Sequence, residues 1–220
     1  MKNTLKYLSI LFFVTAFVAC DKDDDLESKD IKRYNVESGM VTYATAISGP
    51  YVNGSGTNQL YFDKWGALEL KNELSSETVI TYLPDGTEES TTKDAHNTYK
   101  IDNQKVYVVD YKEGYIITKD DPLIEYMRQN DLDALEAGKE MLEKLGGVQL
   151  ANEKVLGYDC EVWELLGIKQ WIYKGLTLKV VTNLAGITII EEATSIRFDI
   201  PVADNYFDLP DFPMKDINDL

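Results

Sequence analysis

The sequence is poor in the side chains that usually announce chemistry. It has two cysteines and one histidine in 220 residues. A zinc site gathers about four nitrogen, sulfur or oxygen donors, so one His and one internal Cys do not suggest a metal centre. The histidine, His96, lies in the polar run Thr91-Thr92-Lys93-Asp94-Ala95-His96, the usual setting of a solvated imidazole. No Gly-x-Ser-x-Gly elbow offers it a serine to activate. No Asp-x-Asp-x-Asp-Gly calcium loop occurs either. The acidic pairs Asp120-Asp121, Glu88-Glu89 and Glu191-Glu192 read as solvated faces. The expectation is therefore a non-catalytic protein without cofactor or metal.

Positive charge is scarce as well: 22 Lys and Arg stand against 38 Asp and Glu, a net charge of −16. Without a basic cluster there is no nucleic-acid footprint, and phosphates repel such a chain. Long apolar runs are missing. Tyr7 to Ala19 gives thirteen residues, short of the roughly 20 that cross a bilayer.

What is present begins at the amino terminus. Lys2 and Lys6 precede that short apolar run, the order of a secretory signal. Phe17-Val18-Ala19-Cys20 resembles the bacterial lipobox, with Phe17 where Leu is usual. The resemblance implies that residues 1–19 are a lipoprotein signal peptide and that Cys20 is lipidated. An ordinary signal peptide with a coincidental cysteine is the alternative. Acyl chains contribute about 0.8 kcal/mol per buried CH₂, and more than one chain holds stably.

Asp21-Lys22-Asp23-Asp24-Asp25 resembles the Lys-plus-acidic export signal of Bacteroidota surface lipoproteins. That implies the outer leaflet of the outer membrane, hence the cell surface. Read as charge alone, the run is a linker extended by self-repulsion. Both readings can hold at once. Residues 20–30 are then lipidated Cys and tether, and ten extended residues reach roughly 35 Å.

Residues 31–220 are expected to form one mostly antiparallel domain. Val41, Tyr43, Thr45 and Ile47 alternate on one face of a strand. Further strands are expected over 58–63, 67–74, 78–83, 99–101, 105–110 and 115–119, with Pro84-Asp85-Gly86 as a turn. Residues 88–96 suit an edge strand or loop. Asp121-Pro122 starts a short helix over 123–128. A second helix is expected over 131–145, with Leu132, Leu135, Leu142 and Leu145 on one stripe that Ala134 and Met141 widen. Val155 to Glu164 alternates, with Tyr158, Cys160 and Val162 on one face and Trp163 on the other. Mid-strand, Cys160 reads as a buried, inert thiol. Strands over 176–181, 187–191 and 193–200 follow, and the end from Pro201 is expected to be irregular.

Gly157-Tyr158-Asp159-Cys160, then Trp171-Ile172-Tyr173-Lys174-Gly175-Leu176-Thr177-Leu178-Lys179, then Phe207-Asp208-Leu209-Pro210 resemble the C-terminal half of lipoprotein-carrier-like (LolA/LolB-like) domains. They are closer still to uncharacterised Bacteroidota outer-membrane lipoproteins related to them. The resemblance implies an α+β, mostly β fold: a strongly curved, incompletely closed antiparallel sheet with helices covering its hollow. It implies an apolar ligand, a lipid or acyl chain, in that hollow, but carries over no ligand-binding residue. The partners expected are a membrane, through Cys20, and an apolar ligand or envelope protein. The alternative is an accessory subunit of an envelope complex with no ligand of its own.

Overall fold

The computed structural model describes residues 31–219. The expected signal peptide over 1–19, Cys20 and the run Asp21, Lys22, Asp23, Asp24, Asp25 lie outside the described residues. In chain order the elements are β1 (Gly39–Gly49), β2 (Val52–Asp63), β3 (Leu68–Tyr82), β4 (Glu88–Asp102), β5 (Lys105–Asp110) and β6 (Tyr115–Asp120). Then come α1 (Pro122–Asn130), α2 (Ala134–Lys144), β7 (Val148–Val155), β8 (Tyr158–Leu165), β9 (Ile168–Tyr173), β10 (Leu176–Leu184), β11 (Ile187–Phe198) and β12 (Met214–Asp216). All twelve strands form one sheet, ordered β12-β6-β5-β4-β3-β2-β1-β11-β10-β9-β8-β7. Pairing is antiparallel except for β12, which runs parallel to β6. The edge strands β12 and β7 do not pair with each other, so the sheet is curved and open, as expected.

Alternation decides which face turns inward. In β1, Val41 and Tyr43 are buried while Ala44, Ala46 and Ser48 are exposed. Directly opposed residues share a face, and Val41 lies opposite both Leu60 and Ile196. With Tyr43, Phe62, Val162 and Leu178 these residues build the main core. Glycine permits the curvature. A Cβ on Gly39 or Gly56 would sit 2.6 Å from a neighbouring strand's carbonyl oxygen, that of Arg197 or Leu74. Bare backbone is what such close approach requires.

The helices carry the chain from one wing of the sheet to the other, since β6 and β7 lie at opposite ends of the strand order. Asp121 caps α1 by accepting from the Leu123 amide at 2.9 Å, with Pro122 in the first turn. Asp131 ends α1 in the left-handed region, and Asp133 caps α2 through the Glu136 amide. The second helix therefore starts at Ala134 rather than Asp131. Its buried residues are Ala134 and Ala137, whereas Leu145 is exposed. Short side chains let α2 approach Ile31, Ala67, Ile124 and Met127, while Leu132, Leu135 and Leu142 of the expected stripe are half-buried.

Other differences follow from pairing. Residues 67–74 and 78–83 are one strand, β3, because Ser75 to Glu77 pair on both sides, with β2 and β4. Likewise 187–191 and 193–200 merge into β11, bulged opposite Thr42/Tyr43. Val155 to Glu164 is broken by a turn at Leu156-Gly157, both at positive φ, leaving β7 and β8. Residues 88–96 pair with β3 alone, while β5 covers only Thr98 to Asp102. The tail folds against the outer face through Phe207, packed on Tyr61 and Leu70.

Candidate functional site

The inner face of the central strands changes character along its length. Towards the helices it is filled by Val41, Leu60, Phe62 and the rest of the core. One step on, Tyr43, Asn58 and Glu73 oppose one another across β1, β2 and β3. Next comes a row of short side chains, Thr45, Gly56, Ser75 and Ala95, with Glu191 at its end. Then Ile189, Ile47 and Gly54 align, with Glu77 and Lys93 continuing the row on β3 and β4, and finally Val52 opposes Val79. Ile47, Ile189, Gly54 and Val79 are half-buried. The hollow is thus packed at one end and open at the other, a trough with a floor of small residues and isoleucine and valine beside it.

A charged collar separates the two halves. Lys71 Nζ lies 2.9 Å from Glu191 Oε1, 3.1 Å from Glu191 Oε2 and 2.9 Å from Glu73 Oε1. It also stands 5.4 Å from the centroid of the Tyr43 ring, within cation–π range. Asn58 donates to Thr45 Oγ1 at 3.2 Å and to Glu191. Burial alone would lower the Lys71 pKa, but the two carboxylates more than offset it and hold the ammonium above its ordinary value. Below the collar, Tyr34 donates its hydroxyl to Glu69. Burial pushes the Glu69 carboxyl up, and pushes the Tyr34 and Tyr43 phenols well up. Side-chain exposures of 27%, 21% and 17% for Lys71, Glu73 and Glu191 leave the collar accessible from the trough.

The structure disperses the residues that chemistry might have united. His96 lies on β4 and stacks on Tyr111 with ring centroids 3.9 Å apart. It borders an open depression of about 520 Å³ whose lining includes Gly56, Ser75 and Ala95 as well as Ser55, Leu74 and Ser76. Cys160 is on β8, in the opposite wing, fully buried, and burial pushes its thiol up. Two acidic pairs depart from the expectation of solvated faces. Asp121 is buried because it pairs with Arg33 and caps α1. Glu191 turns inward to Lys71 while its neighbour Glu192 pairs with Lys179. Glu88 and Glu89 are exposed as expected. The collar escaped sequence reading, although Asn58 and Glu69-Lys71-Glu73 lie at alternating positions that register with Val41 and Tyr43.

No family model and no curated protein matches the chain. Among solved structures it is similar to an uncharacterized conserved protein from Thermus thermophilus, at 8% identity and TM-score 0.41, covering 80% of this chain and 90% of that one. It is also similar to LprF from Mycobacterium bovis, at 10% identity and TM-score 0.30, covering 83% and 94%. A third is a putative outer membrane lipoprotein-sorting protein domain from Vibrio parahaemolyticus, at 10% identity and TM-score 0.26, covering 80% and 92%. All are distant likenesses.

Proposed function

We propose that this chain is an envelope lipoprotein, anchored through an acylated Cys20, that binds a lipid or acyl chain in the hollow of its sheet without catalysing a reaction. The observation that carries the reading is the open half of the inner face, where Ile47 and Ile189 stand beside the small residues Thr45, Gly56, Ser75 and Ala95. An apolar chain laid there would exchange water for hydrocarbon contact at about 25 cal/mol per Å² of apolar surface. Kinship with lipoprotein-carrier-like domains, placement in the outer membrane and display at the cell surface belong to the same proposal. The last two are supported by Cys20 and the run Asp21 to Asp25 that follows it.

The packed half of the hollow favours a second reading. Phe62, Val162 and Leu178 occupy space that a deep acyl pocket would need, which suits an accessory subunit of an envelope complex. Native mass spectrometry of the secreted protein, followed by lipid extraction, tests the two. A co-purifying apolar molecule supports the binding reading. Its absence, together with recovery of a stoichiometric envelope partner on the tagged lipidated protein, supports the accessory one.

A further inference from the structure

The collar sits where the trough meets the packed core, so the end of any chain lying in the trough meets Lys71, Glu73 and Glu191. Its charges do not balance. One ammonium is bonded by two carboxylates, both mostly buried, leaving one negative charge over. Lys71 is already bound by three carboxylate oxygens, so little of its charge is free for an incoming anion. Glu191 receives Lys71 and Asn58, whereas Glu73 has Lys71 on one oxygen. The nearby inner-face pair Glu77 and Lys93, directly opposed on β3 and β4, cancels and does not alter the balance.

We propose that the collar determines specificity by favouring a long-chain amphiphile that ends in a primary ammonium and rejecting one that ends in a free carboxylate. This rests on the trough being the binding site. An ammonium brought to Glu73 and Glu191 completes a two-cation, two-anion cluster, and its own hydrogen bonds offset part of its dehydration. A carboxylate at the same place faces two like charges in a poorly hydrated setting.

The test is competition against a neutral polarity-sensitive dye bound to the full mature chain, at neutral pH and low salt. The competitors are dodecylamine, dodecanol and dodecanoate, kept below their micelle concentrations. The expected order is amine, then alcohol, then acid, with the amine about tenfold tighter than the acid. Glu191→Gln and, separately, Glu73→Gln should each shrink that ratio. Two variants are used because Glu191 also engages Asn58, and thermal melts confirm that both fold. Equal displacement by amine and acid, or an unchanged ratio in both folded variants, overturns the charge preference while leaving the trough reading intact. Failure of all three competitors and of the dye itself to bind overturns both.

Discussion

Arg33 and Asp121 meet at 2.7 Å, with side chains only 7% and 2% exposed. The pair ties the first described turn of the chain to the start of α1, and Arg33 also donates to the Asn103 carbonyl at 3.1 Å. Asp121 meanwhile caps the helix, so one carboxylate holds both the entering segment and the crossover in place.

Asp121→Asn keeps a capping oxygen but removes the carboxylate that pairs with Arg33. Breaking a buried pair in this way costs about 3–5 kcal/mol. Urea unfolding of the variant should show a loss of that order. A loss below about 1 kcal/mol, the range of surface pairs, would mean that solvent reaches Arg33.

Glu69 should make the fold less stable as pH rises out of the acid range. Burial raises its pKa above the ordinary 4.5. A carboxyl shifted upward contributes stability that is present below its unfolded value and lost as pH climbs through its folded value. Glu69→Gln keeps an acceptor for Tyr34 and removes the titration. The difference in unfolding free energy between variant and parent should therefore move in the variant's favour between pH 4 and neutrality, about where carboxyls titrate. A difference that stays flat across that interval would contradict the burial argument.

Leu166 is an odd choice for its place. It heads the turn between β8 and β9 with φ 51, next to Gly167 at φ 81, and is 86% exposed. The left-handed region costs an ordinary side chain about 1–2 kcal/mol, and Asn suits the first position of such a turn. Leu166→Asn should thus raise stability by roughly 1 kcal/mol, read as a higher urea midpoint with unchanged slope. A lower midpoint would show that the leucine packs against something in the folded protein.

Cys160 should behave as an inert thiol. It is fully buried and burial raises its pKa, so thiolate is scarce and reagent access needs opening. Labelling by a thiol reagent should be slow in the native protein and track unfolding as urea is added. Fast stoichiometric labelling of the native protein would exclude that.

Much of the sheet was legible because alternation survives translation into structure. The face chosen for Val41, Tyr43, Thr45 and Ile47 is the inner one, and Cys160 and Val162 do lie together in the core. Asp121 and Pro122 begin α1 where their chemistry says they should. Less legible were features set by partners far along the chain. Ser75 to Glu77 looks like a break until β2 and β4 supply its hydrogen bonds. Ala134 belongs to the expected stripe of α2, but close approach to Ile31 and Met127 buries it and Ala137 more deeply than the leucines. The collar is the clearest case. Glu191 lies 120 residues from Lys71 along the chain, and the successive pairings of β11 with β1, β1 with β2 and β2 with β3 bring them together.

Whether an apolar chain binds in the open half of the inner face is decided by one titration. A neutral fluorescent probe that brightens in apolar surroundings is titrated against the mature protein and against Ile47→Glu, which places a carboxylate in the middle of the trough while leaving the packed core untouched. Saturable binding to the parent protein is expected, with at least tenfold weaker binding to a variant that unfolds at the same temperature, a change of about 1.4 kcal/mol or more. Equal binding to both proteins would contradict binding in the open half.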